Sequence, residues 1–230
     1  MKKILLAFSI LLVISCTKET SNFTLKGNIK GLKKGTVYLE REQDSTYKVI
    51  DSLEINGNSN FELHYNLEEP EALFLRLNKN DNEEGIIKFF ADKGITEINS
   101  TLKNFNFDAK IKGSKQQELL DEYIGIMSKF NNQYLDLIKE SFEPKKVNDT
   151  TTTNLNYEEK YNSLLRRKYL YTINFAVTHN TSEIAPYLAI TEIADANTKY
   201  LDTIYNSLET SLKTSLYGKK LKALLDSKKE

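Results

Sequence analysis

The hydrophobic period of this chain changes once, at Gly113-Ser114, and that change limits the fold more than any other feature. From Phe23 to Lys112, apolar residues alternate with polar ones in short runs: FTLKGNIK, GTVYLERE, YKVIDSLEI, FELHYN, ALFLRLN, GIIKFFA, GITEINS and FNFDAKIK. A period of two puts successive side chains on opposite faces of a strand, and the β-branched and aromatic residues in these runs suit a pleated surface. In FELHYN, Phe61, Leu63 and Tyr65 are predicted to share the buried face, with Glu62 and His64 toward water. Turn material (GLKKG, NGNSN, EEP, NKNDNEEG, DKG) separates the runs at roughly ten-residue spacing. Eight strands at that interval predict an antiparallel sandwich or barrel.

Past Gly113 the apolar residues follow three- and four-residue steps. Ser114-Lys115-Gln116-Gln117 has the pattern of a capping box. Leu119, Leu120, Tyr123, Met127, Phe130, Tyr134, Leu137 and Ile138 then mark the inner stripe of a helix of about seven turns. Pro144 to Asn154, with four consecutive Thr, reads as a loop. A second helix is predicted from near Asn156, capped through Glu159, with Tyr157, Tyr161, Leu165, Tyr169, Ile173 and Ala176 facing inward. Further helices are expected over Glu183–Ala194, Lys199–Thr214 and through Leu221–Leu225. The fold class is therefore α+β: an N-terminal antiparallel β-sandwich or barrel of about eight strands (23–112), then a helical C-terminal region (113–230). With 40% hydrophobic and 28% charged residues, the chain is too apolar for wholesale disorder and too polar for a multi-pass membrane protein.

The first 22 residues have a different purpose. Lys2 and Lys3 precede an apolar run from Ile4 to Ile14, which as a helix would cover about 16 Å, half a bilayer core. Residues 1–15 thus read as a signal peptide and not as a transmembrane span. Val13-Ile14-Ser15-Cys16 resembles the bacterial lipobox, which implies lipid attachment at Cys16 after cleavage before it. A thiolate is nucleophilic enough to take the lipid as a thioether, and more than one acyl chain gives stable anchoring. Residues 16–22 would be the lipidated Cys and its tether. Thr17, not Asp, follows the Cys, so an outer-membrane lipoprotein of the cell envelope is expected, facing the periplasm or the cell surface.

Charge excludes some partners. The 32 basic residues equal the 32 acidic ones, and removal of Lys2 and Lys3 leaves a balance of −2. No long-range field recruits nucleic acid or an anionic membrane, so no nucleic-acid partner is expected. The four Arg stand at 41, 76, 166 and 167, too scattered for a phosphate-recognition theme.

The opening FTLKGNIKGLKKGTVYL, the later DSLEI with GNSNFEL, and the closing KIKGSKQQELLDEY resemble an uncharacterised bacterial lipoprotein domain, domain of unknown function 4369. HNTSEIAPYLA and SLYGKKLKALL are similar to the helical stretch that follows it. The resemblance implies a neighbouring thioredoxin-like domain with a Cys-x-x-Cys pair. Here the sequence stops at Glu230, where that domain would begin, and residues 17–230 contain no cysteine. This polypeptide alone cannot perform dithiol exchange.

Little else in the sequence looks like chemistry. His64 is expected on the exposed face of a strand, and His179 at a helix end, where a donor suits the terminal carbonyls. Gly31-Leu-Lys-Lys-Gly35-Thr36 has the wrong spacing for a phosphate loop and reads as a turn. Asn78 to Gly85 lacks the ordered Asp positions of a calcium loop and reads as a hairpin tip. Glu68-Glu69 and Glu158-Glu159 fall where a turn and a helix start are predicted, and the helical positions among the 13 Tyr mostly repeat at core spacing. No catalytic residue, metal site or cofactor is predicted. The expected function is that of a non-enzymatic binding or interaction module. The alternative is an accessory of thiol-disulfide exchange, working with a separate thioredoxin-like protein as partner.

Overall fold

Among the described residues, eight strands and six helices form three layers: sheet, sheet, helices. The computed structural model describes residues 21–43, 46–79, 84–142 and 150–229. The strands are β1 (Phe23–Lys30), β2 (Lys34–Gln43), β3 (Thr46–Asn56), β4 (Asn60–Tyr65), β5 (Glu71–Asn78), β6 (Glu84–Ala91), β7 (Gly94–Thr101) and β8 (Lys110–Lys112). The helices are α1 (Lys115–Phe142), α2 (Thr150–Thr178), α3 (Ile184–Glu192), α4 (Thr198–Ser207), α5 (Thr210–Lys213) and α6 (Leu216–Ser227).

The strands make two four-stranded sheets, ordered β4-β1-β7-β8 and β3-β2-β5-β6, so the fold is a sandwich and not a closed barrel. Alternation dictates what lies between them. Phe23 and Leu25, Val37 and Leu39, Phe61 and Leu63, Leu73, Leu75 and Leu77, and Ile87 and Phe89 all turn inward and are buried. Glu62 and His64 stay on the exposed face, as the FELHYN pattern predicts.

Two features of the sheets depart from the expectation. The pair β1–β7 is parallel, although every other ladder is antiparallel. Parallel neighbours require a long crossover, and here the entire second sheet is threaded between them. The eighth run also yields a strand only at Lys110–Lys112; Phe105 to Asp108 lie in turns. Phe105 is buried there even so, which shows that its apolar character serves the core without strand pairing.

Gly113 marks the break. Its φ is +95°, and a Cβ would lie 2.2 Å from the Ile95 carbonyl oxygen, so only glycine fits. Ser114 then caps α1, its Oγ accepting from the Gln117 N–H at 3.0 Å. The capping box is only half formed. The Gln117 side chain does not turn back to Ser114; its Oε1 accepts the Phe90 N–H of β6 at 2.7 Å and its Nε2 donates to Asp121. A buried strand N–H left unpaired costs about 1–3 kcal/mol, more than a cap is worth on average.

Helix boundaries also shift. Residues 150–154 of the expected loop and Asn156 are helical, so Asn156 is no N-cap. Thr lowers helix propensity by only a few tenths of a kcal/mol per residue and does not stop a helix. The run expected over Lys199–Thr214 is broken between α4 and α5. The break is pinned from outside the run: Asn180 donates to the Ser207 carbonyl and its own carbonyl accepts the Glu209 N–H. Helix α6 begins at Leu216, ahead of the expected Leu221, capped by Ser215 Oγ on the Gly218 N–H.

Candidate functional site

The helices cover one part of the outer face of the second sheet, and the candidate site is the cleft at that junction. In the strand register, Ala72 lies beside Phe90 and Phe74 beside Lys88, all on the face away from the sandwich core. Phe90, fully buried, meets Tyr187 of α3 and Tyr217 of α6 at centroid distances of 5.2 and 5.6 Å. Tyr187 and Tyr217 close the triangle at 5.1 Å, ring edge toward ring face. This aromatic triangle ties strand to helices. The Ala72 N–H, beyond the last residue that β2 pairs, donates to the Tyr217 hydroxyl at 2.8 Å.

Beside the triangle is a cleft of about 220 Å³, lined by Glu42 of β2, Ala72 of β5, Lys88 of β6, Tyr187 and Thr191 of α3, and Tyr217 and Lys220 of α6. The Lys88 ammonium stands 5.2 Å from the Tyr187 ring centre and 5.6 Å from that of Phe74. The Lys220 ammonium stands 5.6 Å from Tyr217. Neither lysine forms an ion pair among the described residues.

The acids around the cleft differ in their commitments. Glu71, at its rim, is buried and held by Arg41 at 3.2 Å, whose Nη1 also donates to the Tyr65 hydroxyl. Burial pushes the Glu71 carboxyl above its usual range, against the pull of Arg41 and the Tyr65 hydroxyl. Glu183, buried behind α6, is pushed up to about 7 by burial, with the Ser215 hydrogen bond at 2.9 Å opposing and the charge of Glu69 adding to the rise. Burial likewise raises the Tyr217 phenol well above its ordinary value. Glu42 is exposed and forms no ion pair among the described residues. Nearby, Arg76 grips Glu40 Oε1 through Nε and Nη2 at 2.9 and 2.7 Å and covers the Tyr38 ring at 4.1 Å.

Residues singled out by the sequence lie elsewhere. Cys16 falls outside the described residues, as do residues 80–83 of the Asn78–Gly85 segment; what is described of that segment pairs as a β5–β6 hairpin, Asn78 with Glu84. His64 is exposed, its Nδ1 3.3 Å from both Ser21 Oγ and Thr24 Oγ1. His179 sits at the end of α2, its Nδ1 2.9 Å from the Phe175 carbonyl, the helix-end role its position suggests. Gly31 and Gly35 flank the β1–β2 turn. Glu158 and Glu159 lie inside α2, not at its start. Among the described residues, no group of three or more His, Cys, Asp or Glu is placed to hold a metal, and no helix is long and apolar enough to cross a membrane.

The cleft residues went unnoticed in the sequence. Lys88 interrupts the apolar GIIKFFA on the outward parity, and Tyr217 and Lys220 lie in SLYGKKLKALL, but nothing local joins segments 130 residues apart. A second groove of about 290 Å³ runs along the α1–α2 hairpin, lined by Phe130, Tyr134, Tyr161, Leu164 and Lys168. Its lysine is already opposed by Glu192 at 3.6 Å.

Comparison with curated proteins returns no match. Residues 23–120 match the family model described as a domain of unknown function (DUF4369). That segment takes in both sheets, the Gly113 break and the start of α1 with its Gln117 pin.

Proposed function

We propose that the protein is an envelope lipoprotein, anchored through acylated Cys16, whose folded body is a non-enzymatic binding module. The observation that carries the anchoring is Val13-Ile14-Ser15-Cys16 behind a basic and then apolar leader. More than one acyl chain suffices for stable membrane attachment. The binding reading is supported by how the polar groups at the sheet–helix junction are used. The Tyr217 hydroxyl accepts a strand N–H, Ser215 Oγ caps α6, and Glu71 is held by Arg41. Groups resembling nucleophiles and bases are committed to holding layers together, while Glu42, Lys88 and Lys220 face the cleft.

Intact-mass measurement of protein extracted from membranes is expected to show an acylated Cys16 as first residue, and Cys16→Ala to lose membrane attachment. A free Cys16 thiol on membrane-extracted protein overturns the anchoring. Turnover of any substrate by the purified protein in a broad hydrolase and oxidoreductase screen overturns the non-enzymatic reading. The resemblance of the 23–120 segment supports a second role, as accessory to a separate thioredoxin-like protein. It predicts co-purification with a Cys-x-x-Cys partner.

A further inference from the structure

We infer that the cleft between β2, β5, β6 and helices α3 and α6 binds a small zwitterion with an apolar body, in the size range from an amino acid to a dipeptide. The inference rests on the binding reading above and names its site and ligand class. Three observations converge. The floor is apolar: Ala72, Tyr187, Ile190, Leu216 and Tyr217 line it, with Phe90 buried beneath. Two ammonium groups, Lys88 and Lys220, are held against aromatic rings and form no ion pair among the described residues, although Lys220 feels the charge of the Glu71 carboxylate. A ring face fixes an ammonium without consuming its N–H donors, so both remain able to grip a carboxylate.

The third observation is the sign of the opposite wall. Glu42 projects from β2, while Lys88 projects from β6, two strands away with β5 between them. Adjacent strands are about 4.8 Å apart, which separates the two backbones by about 10 Å. A ligand with only negative charge meets the Glu42 carboxylate as a repulsive neighbour, and a purely cationic one meets the lysines. A dipeptide sets its terminal ammonium and carboxylate roughly 6–7 Å apart, a span that the Glu42 and lysine side chains bracket. Glu71 is not available for this work, because Arg41 and Tyr65 occupy it. The cleft, at about 220 Å³, encloses an amino acid, or a dipeptide with one side chain left outside it.

The test is calorimetric titration of the detergent-solubilised full chain with the dipeptide Leu-Phe, its N-acetylated form and its C-amidated form. Free Leu-Phe is expected to bind, and each capped form to bind at least tenfold more weakly. Lys88→Gln and Lys220→Gln are expected to weaken free Leu-Phe at least tenfold but leave the weak C-amidated form unchanged; Glu42→Gln does the same for the N-acetylated form. All three side chains are exposed, and unchanged thermal melts would show the variants folded. Equal binding of free and N-acetylated peptide overturns the zwitterion and leaves a simple carboxylate site. Binding that none of the three substitutions changes overturns the cleft assignment while the binding-module reading stands. No heat with free Leu-Phe, free leucine or free phenylalanine overturns the inference as a whole.

Discussion

The two sheets have the same inner face and opposite outer ones. Inward, each contributes alternating Phe, Leu and Ile to one core. Outward, the first sheet carries a four-strand row Glu62, Lys26, Glu97, Lys112, in register and alternating in sign. The row beside it reads Asn60, Asn28, Asn99, Lys110. The second sheet sets Ala72, Phe74 and Phe90 on its outer face and is partly roofed by helices. The contrast teaches that strand alternation specifies a sandwich, whereas the residues on the neglected parity select which sheet acquires a third layer.

The sharpest way to break this comparison is at the aromatic triangle. Phe90→Ala is expected to cost about 3–5 kcal/mol, read as a lowered denaturant midpoint. If it costs no more than a substitution on the charged face, the roofed sheet is not held by its outer residues. Tyr217→Phe comes next. It keeps the ring but strips the acceptor from the Ala72 N–H, with an expected loss of about 1–3 kcal/mol; a neutral outcome would show that water from the cleft replaces the hydroxyl.

Glu183 supplies a pH test of the roof. Its folded-state carboxyl titrates at about 7 against an ordinary 4.5. The folded protein therefore holds this proton between those values while the unfolded chain has released it. Its contribution to stability is greatest below about 4.5 and declines as pH rises to about 7. Glu183→Gln is expected to flatten that decline and to stabilise the protein at pH 8 by on the order of 1–2 kcal/mol, seen in melts across pH 4–8. The burial of Glu71 acts in the same direction, so a shallower slope of the same sign remains in the variant. An unchanged slope would sink the assignment to Glu183.

The smallest effect belongs to the charged face. Lys26→Ala removes a half-exposed pair to Glu62 at 3.5 Å and is expected to cost at most about 1 kcal/mol, shrinking in high salt. A cost comparable to that of Phe90→Ala would mean that the charge row is structural and would erase the distinction between the faces.

Much of this fold is legible in local pattern. Seven of the eight strand runs appear at or within one residue of the expected ends, because burial of one face forces a period of two on each segment independently. The eighth run fails because Phe105 is buried from a turn, which periodicity cannot distinguish from a strand. Asn180 holding the α4–α5 break, and Gln117 leaving its cap for the Phe90 N–H, involve partners 27 residues apart in both cases. The candidate cleft is harder still. Ala72 and Tyr217 are 145 residues apart, and neither is unusual in its own segment.

The sequence by itself determined the two-part α+β order, the Gly113 break and the faces of most strands. Each of these depends on neighbours within a few residues. Only the tertiary structure decided the parallel β1–β7 pair, the sheet that carries the helices, and the meeting of Glu42, Lys88 and Lys220 around one aromatic floor. Those depend on long-range packing and on which buried donors needed partners, and such demands exist only once the layers have come together.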